Sequence, residues 1–361
     1  MSNHAYNLMC IMMHLIVSLF YILLWSTDAY AYTDSRPLLP PFPNGVCSGS
    51  VVTLPQDELY STKSSPFNLF SSFENIMLPP RDVKVWMPAE YHKPEFRTHQ
   101  FPVLYCHDGQ NAMEDSDSWT GSSWRLVGAL TRMYERDMLR IEAPPIVVLV
   151  PCGEGDFAPG ISRRHSEYGD LPHPVSQAHG EWMATKLHTY IMNRFRVKEG
   201  PEHCAALGSS LGGQASLQLV LRYPKIFGAA ACLSPCFQAG TIAAVVSKSM
   251  SPSERDDLRS KTIYIDNGGD VDETRVPVID VMDHFTMNDK WWNPGYWWLD
   301  TSLQPMIDAV RFALDQAGIP YRYEKFPGGR HNERGWAQRI HRPLLHLYGK
   351  EDENERVNLF E

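Results

Sequence analysis

Apolar and polar positions follow two different periods along most of this chain. Residues 101–106 and 145–150 are short apolar runs whose length and β-branched content are typical of buried parallel strands. Between them, residues 124–139 carry apolar side chains at helical spacing. The same alternation predicts strands at 81–88, 204–207, 228–233, 262–265 and 321–326, and helices at 180–195, 211–222, 303–317 and 333–347. Strands that alternate with helices over this length predict an α/β protein with a mostly parallel sheet and helices on both faces.

The two ends of the chain differ in composition from the region between them. Residues 32–66 are rich in Pro, Ser and Gly, which predicts a linker or arm. Residues 351–361 are predicted to form a polar tail. No internal repeat is visible, so we predict one domain spanning residues 67–350.

The first 31 residues have the pattern of a targeting segment. Residues 8–25 are almost continuously apolar, and Ala29 and Ala31 place small residues at positions −3 and −1 of a cut after residue 31. This predicts a cleaved export signal and a secreted or extracytoplasmic protein. The segment before the apolar run lacks Lys and Arg, and the run is long for a cleaved signal, so an uncleaved membrane anchor at residues 8–25 is the alternative.

Composition and charge narrow the classes of partner. The 361 residues are 43% hydrophobic and 21% charged, as in a globular protein. The formal net charge of −9 and the lack of a basic run argue against a phosphate-binding surface, so no nucleic-acid partner is expected. Of the seven cysteines, Cys106, Cys204 and Cys232 fall in or beside predicted strands, where buried thiols are expected. We expect mostly free thiols, with room for one disulfide.

The segment from Gly208 to Gly212, Gly-Ser-Ser-Leu-Gly, lies between a predicted strand and a predicted helix. In that setting Gly-x-Ser-x-Gly is the nucleophile elbow of the α/β-hydrolase fold, in which a sharp turn raises the serine oxygen at the carboxyl edge of the sheet. We therefore predict this fold, with Ser210 as the nucleophile. The backbone N–H of Leu211, at the helix start, is predicted to bind the oxyanion. Ser209 lies one residue outside the glycine frame and is not expected to react.

A serine hydroxyl needs a neighbouring base, and in this fold an acid and then a histidine follow the serine in the chain. His331 lies in a glycine-rich loop after the last predicted strand, which brings it to the carboxyl edge. The acid is expected in the loop 266–273, where Asp270 is the first choice because it follows two glycines. Asp272 and Asp266 are the alternatives, although Asp266 also suits a turn. The acid would fix the imidazole tautomer and stabilise the imidazolium.

A second oxyanion donor is expected in the loop after an early strand. Residues 107–111, His-Asp-Gly-Gln-Asn, follow the strand that ends at Cys106. Gly109 allows backbone N–H groups to turn inward. The N–H of Gln110 is the predicted second donor.

Taken together, these segments resemble the putative esterase family, also called the esterase-D or enterochelin-esterase-like family, of the α/β-hydrolase superfamily. The resemblance spans residues 80–348 and is carried by residues 81–88, 102–111, 164–168, 208–213, 223–228 and 328–336. It implies hydrolysis of a carboxylic ester by Ser210 and His331, with an acid near Asp270. Family members act on feruloyl or acetyl sugars, siderophore esters and small thioesters, and mycolyltransferases are relatives, so the resemblance does not choose a substrate.

Residues 276–300 depart from the family pattern and look like an insertion. The aromatic residues in it either stack a sugar or phenolic group over the serine or pack within a lid; they are Trp291, Trp292, Tyr296, Trp297 and Trp298. Arg164 and Glu167 are expected to form a structural ion pair.

The leading hypothesis is a serine esterase that hydrolyses a small-molecule or carbohydrate-linked ester through an acyl-enzyme on Ser210. The first alternative is an acyltransferase, because the sequence does not tell whether water or an alcohol reaches the intermediate. The second alternative is a catalytically silent hydrolase-like domain that binds a carbohydrate or a protein. No cofactor is implied. The scattered aspartates of residues 270–283 lack a regular ligand loop, so no metal is expected.

Overall fold

A sheet of eight strands forms the centre of the fold. The computed structural model describes residues 42–60, 78–158, 161–269, 296–326, 329 and 331–350. The strands in these ranges are β1 (Gly49–Thr53), β2 (Lys84–Pro88), β3 (Val103–His107), β4 (Ile146–Val150), β5 (Asp156–Ala158), β6 (Ile161–Ser162), β7 (Cys204–Ser209), β8 (Ala229–Leu233), β9 (Thr262–Asn267) and β10 (Arg322–Lys325). The sheet has the order β1-β2-β4-β3-β7-β8-β9-β10, and β5 and β6 form a separate hairpin. β2 is antiparallel to β1 and β4, and every other pair in the sheet is parallel.

Helices connect these strands. They are α1 (Gln56–Leu59), α2 (Leu126–Glu135), α3 (Arg163–Glu167), α4 (Pro174–Trp182), α5 (His188–Arg194), α6 (Leu211–Arg222), α7 (Ala239–Met250), α8 (Pro252–Arg259), α9 (Tyr296–Ala317), α10 (Glu333–Arg339) and α11 (His341–Tyr348). A π-helical turn (Met183–Leu187) joins α4 to α5, and short 3-10 turns form at Ala89–His92, Pro94–Phe96, Gly109–Asn111 and Pro201–His203. Within the described ranges, no helix combines the length and the apolarity needed to cross a bilayer.

The core lies on both faces of the sheet because successive side chains of a strand point to opposite sides. On β3, Val103 and Tyr105 belong to one buried apolar cluster, which also includes residues of α6 and α9. Leu104 and Cys106 belong to a second cluster, together with residues of α2 and α11. The predicted parallel sheet with helices on both faces is therefore confirmed.

Several elements differ from the sequence prediction. β1 lies within residues 32–66, the stretch predicted as a linker, and pairs with β2 at the edge of the sheet. It is only five residues long and at most half-buried, so it carries no clear period in the sequence. α7 and α8 were not predicted. The predicted helix 333–347 is divided into α10 and α11, with Pro343 in the first turn of α11, where a missing N–H is tolerated.

The thiols follow the prediction where the structure describes them. Cys106, Cys204 and Cys232 are buried, and burial raises the pKa of each thiol well above its ordinary value. The described cysteines, which also include Cys47, Cys152 and Cys236, are all free.

The strand register decides which residues meet at the carboxyl edge of the sheet. Ser209 pairs with Leu233 across β7 and β8, and Leu233 pairs with Asp266 across β8 and β9. On the other side of β7, Leu207 pairs with Cys106 of β3. The loops that follow these strands, and the loop after β10, therefore leave the sheet side by side.

Candidate active site

Ser210 occupies a strained turn between β7 and α6. Its backbone torsions are φ 56° and ψ −124°, a region that non-glycine residues rarely adopt and that is typical of functional sites. The Ser210 N–H donates to the Leu233 carbonyl at 2.9 Å, and the Ser210 carbonyl accepts from the Cys236 N–H at 3.0 Å. The main chain of β8 and the loop after it thus hold the turn. The preceding serine, Ser209, is the last residue of β7 and is buried.

The glycines around Ser210 are required by close contacts. A Cβ atom at Gly208 would lie 2.5 Å from the carbonyl carbon of Gly212, well inside van der Waals contact. A Cβ atom at Gly212 would lie 3.1 Å from Asp108 Oδ2 and 3.2 Å from His107 Cβ. The glycine frame therefore brings the start of α6 against both β7 and the loop after β3.

The loop after β3 turns sharply at the end of its strand. Asp108 is left-handed, with φ 52°, and Gly109–Asn111 form a 3-10 turn. A Cβ atom at Gly109 would lie 2.4 Å from the main chain of Leu149 and Val150, so the loop packs directly against the end of β4. The Gln110 side chain donates through Nε2 to Cys152 Sγ at 3.5 Å, just beyond the end of β4.

Buried charges anchor the same loop from the side. The Arg164 guanidinium donates to both carboxylate oxygens of Asp108, at 2.9 and 2.7 Å, and the Asp108 N–H donates to the Tyr168 hydroxyl at 3.1 Å. The predicted ion pair between Arg164 and Glu167 is wrong, because Glu167 binds Arg81 at 2.6 and 2.7 Å instead. Arg164 and Glu167 lie on one turn of α3, and each contacts a partner on a different loop.

His331 is oriented by a carboxylate. Its Nδ1 lies 2.8 Å from Asp300 Oδ1, and the two side chains are buried, at 4% and 1% exposure. Burial alone would raise the pKa of Asp300, but His331 and, beyond it, Arg339 hold that pKa below its ordinary value. The His331 ring also packs edge-on against Trp336, with centroids 5.0 Å apart. Because Nδ1 is engaged, Nε2 is the ring nitrogen that remains for another partner.

The sequence prediction of the acid did not anticipate Asp300. Asp270 and Asp272, the predicted acid and its alternative, lie outside the described residues. Asp266 is described and fully buried, but it faces Ser234 and Arg339 rather than His331. Asp300 lies in the second turn of α9, at the last position of the predicted insertion, and the one signal for it in the sequence is an acidic residue just before a predicted helix.

Two hydrogen bonds connect the histidine part of the site to the loops after β3 and β9. Asn111, at the end of the loop after β3, donates through Nδ2 to Glu333 Oε1 at 3.3 Å. Glu333 follows His331 by two residues. On the far side, the Gly269 N–H donates to the Gly329 carbonyl at 3.0 Å, which ties the loop after β9 to the loop that carries His331. Burial raises the pKa of Glu333. The loops that carry the predicted nucleophile, oxyanion donors and base therefore lie together at one edge.

Three other described histidines have pKa values that burial lowers. His107 is fully buried beneath the elbow, and its Nδ1 lies 3.0 Å from Ser216 Oγ. Burial lowers the pKa of His107 to about 4. His341 and His346 lie in α11, where burial lowers their pKa values to about 3 and about 4. These rings are neutral at physiological pH.

A cavity of about 590 Å³ lies beside the loop after β3, on the side of β2 and β4. Its wall contains Gly109 and Gln110 together with paired charged side chains, among them Lys84 and Asp117, which lie 2.6 Å apart. Its size suits a small molecule. Of the aromatic residues in the insertion, Trp291 and Trp292 lie outside the described residues, and the side chains of residues 296–298 are likewise not described.

Comparisons with known proteins agree with this architecture. A solved ferulic acid esterase matches with a TM-score of 0.55 and 17% identity, over 83% of this chain and 98% of its own. The crystal structure of the enterobactin esterase from Shigella flexneri, with 2,3-dihydroxy-N-benzoyl-glycine present, matches with a TM-score of 0.53 and 14% identity, over 87% of this chain and 63% of its own. At such identities the likeness shows the fold alone, and the predicted α/β-hydrolase fold is confirmed.

A comparison with curated proteins returned no match. A model of the family described as "Putative esterase" matches residues 75–347, which is most of the chain. The chain belongs to this esterase family.

Proposed function

We propose that this protein is a serine esterase that hydrolyses a carboxylic ester, with Ser210 as nucleophile, His331 as base and Asp300 as the orienting acid. One observation carries the proposal. A serine in a strained strand-to-helix turn lies at the same sheet edge as an imidazole whose Nδ1 lies 2.8 Å from a buried carboxylate. A serine hydroxyl is activated in this way because the base can remove its proton while the acid stabilises the resulting imidazolium.

The proposed reaction has two halves. In the first, Ser210 Oγ attacks the ester carbonyl carbon, and His331 Nε2 takes the hydroxyl proton. The tetrahedral oxyanion is held by the backbone N–H groups of Leu211 and Gln110, and its collapse expels the alcohol, which receives the proton from His331. In the second half, water attacks the acyl-enzyme by the same route and releases the acid and free Ser210.

The proposed oxyanion donors follow from local backbone structure. Leu211 is the first residue of α6, and the N–H groups at a helix start have no acceptor one turn earlier. The N–H groups of Gly213 and Gln214 donate to the Ser210 carbonyl, which leaves the Leu211 N–H outside these turn bonds. Gln110 is the central residue of the 3-10 turn that packs against the end of β4.

The substrate class proposed is an ester of a small organic acid. Two solved structures that this chain resembles are named as a ferulic acid esterase and an enterobactin esterase. A panel of esters of acetic acid, ferulic acid and 2,3-dihydroxy-N-benzoyl-serine, each with and without an added alcohol acceptor, would identify the acyl group and separate hydrolysis from acyl transfer.

The test of the reaction type is covalent labelling with a fluorophosphonate probe, which reacts with activated serines. We expect the wild-type protein and Ser209→Ala to be labelled and Ser210→Ala to remain unlabelled. Ser209 is a matched control because it is the adjacent serine, buried at the end of β7. Labelling of Ser210→Ala, or no labelling of the folded wild-type protein, would contradict the proposal.

A further inference from the structure

Arg339 is a buried arginine next to the acid–base pair. It is 2% exposed and ends α10, the helix that begins two residues after His331. Its Nη2 donates to Ser234 Oγ at 2.6 Å and lies 3.3 Å from Asp266 Oδ1. Its Nε and Nη1 have no hydrogen-bond partner within the described part of the chain. A fully charged side chain in such a place is costly unless nearby anions compensate it.

Two buried carboxylates supply that compensation. Asp266 accepts from the Ser234 N–H at 3.0 Å, and burial raises its pKa to about 6 although Arg339 opposes the rise. The charge of Arg339 also acts on Asp300, whose pKa is held below its ordinary value. The two carboxylates and the guanidinium together carry one net negative charge when both acids are ionised. That charge matches the single positive charge that His331 would carry during the reaction.

The main chain encloses this cluster closely. A Cβ atom at Gly329 would lie 2.6 Å from Arg339 Nη1, and a Cβ atom at Gly268 would lie 2.3 Å from Asp300 Oδ2. Glycine at both positions therefore leaves room for a guanidinium and a carboxylate beneath the histidine loop. In such a water-poor site, charges interact more strongly than they would at the surface.

We propose that Arg339 and Asp266 are positioning residues that set the charge of the Asp300–His331 pair. Arg339 keeps Asp300 ionised and in place, and Asp266 offsets Arg339 so that the negative charge of Asp300 stays available to the imidazolium. This inference rests on the proposed function. It assigns roles to a carboxylate and a guanidinium that touch neither the ester nor the imidazole.

The proposal predicts opposite effects for the two residues. Without the Asp266 charge, the positive charge of Arg339 cancels the effect of the ionised Asp300 on the imidazolium. The imidazolium is then less stable, and the acid limb of the kcat/KM profile moves to lower pH. Without the Arg339 charge, the excess negative charge stabilises the imidazolium, and the acid limb moves to higher pH. Other groups that act on Asp266 and remain in every variant are Tyr264, whose hydroxyl donates to Asp266 Oδ2 at 3.3 Å, and Glu324, which is paired with Arg342 at 2.6 Å.

The experiment measures hydrolysis of 4-nitrophenyl acetate from about pH 5 to about pH 9. The variants are Asp266→Asn, Arg339→Met, the double variant and the charge-preserving Arg339→Lys. We expect acid-limb shifts of about half a pH unit downward for Asp266→Asn and upward for Arg339→Met, since a charge one residue removed shifts a pKa less than a direct partner does. The double variant should return toward the wild-type profile, and Arg339→Lys should stay close to it.

Arg81→Met is the matched control for losing a buried arginine. Arg81 and Glu167 form an ion pair with side chains 6% and 0% exposed, much like the 3% and 0% of Arg339 and Asp266. It lies just before β2, four strands from β8 in the sheet. This variant should lower thermal stability and leave the acid limb in place.

The outcomes separate this inference from the proposed function. Wild-type protein that neither hydrolyses the ester nor reacts with the fluorophosphonate probe overturns the proposed function. Active wild-type protein whose two single variants shift in the same direction, or not at all, overturns the inference alone. If Arg339→Met fails to fold, Asp266→Asn decides by itself, because an unmoved acid limb in that variant contradicts the offsetting role of Asp266.

Discussion

The serine side and the histidine side of the candidate site are held by different kinds of force. Around Ser210 the constraints are main-chain hydrogen bonds and glycine contacts, such as the 2.5 Å approach of a Gly208 Cβ to Gly212. Around His331 they are buried charges, with Asp300 at 2.8 Å and Arg339 behind it. The difference indicates that close packing positions the proposed nucleophile and that buried charges position the proposed base. Changes on the serine side should therefore act at every pH, and changes on the histidine side should depend on pH.

The largest effect is expected for Asp300→Asn. Without the carboxylate, the imidazolium loses its counter-charge and the amide can hold the wrong tautomer, so kcat should fall by about 10³- to 10⁴-fold. Asp270→Asn, which changes the acid predicted from the sequence, should stay within about tenfold of wild type. Steady-state kinetics of the two variants on one ester check this. The reverse order would assign the acid to Asp270 instead.

A smaller loss of activity is expected for Gly208→Ala, which changes the packing of the elbow and not its charge. The added methyl group would meet the Gly212 main chain at 2.5 Å, so the elbow must shift, and a displacement near 1 Å costs about 100-fold in rate. Gly212→Ala, whose Cβ would meet side-chain atoms at 3.1 and 3.2 Å, should lose less. Rates measured across the pH range should fall by one constant factor. A loss that changes with pH would place the serine side under electrostatic control as well.

The same difference explains what the sequence could predict. The elbow was found because its glycines, its serine and the flanking strand and helix are contiguous, and their spacing alone dictates the turn. His331 was predicted because it is the histidine that lies in a glycine-rich loop after the last predicted strand. Asp300 was not predicted, since it is the last residue of the stretch interpreted as an insertion, and only the packing of α9 brings it to His331. Arg339 was missed because the helical period presents it as one more position of a final helix.

The smallest effect concerns stability and follows from Asp266. Its pKa in the folded protein is raised by burial to about 6, above the ordinary value of 3.8. The folded state therefore binds this proton more tightly than the unfolded state does. The associated stability is fully present below about pH 4 and is lost as the pH rises through 6. The loss is at most about 3 kcal/mol, because each pKa unit corresponds to about 1.4 kcal/mol.

Asp266→Asn removes this one titration and leaves the others, so the variant isolates the cost of ionising the carboxylate. Relative to wild type, the free energy of unfolding of Asp266→Asn should increase from about pH 4.5 to about pH 7.5, even if the loss of a partner for Arg339 lowers it at both pH values. Urea denaturation at the two pH values measures that difference. A difference that does not change with pH would mean that the folded protein does not disfavour the ionised form of Asp266. Electrostatic control around His331 would then be limited to its contact with Asp300.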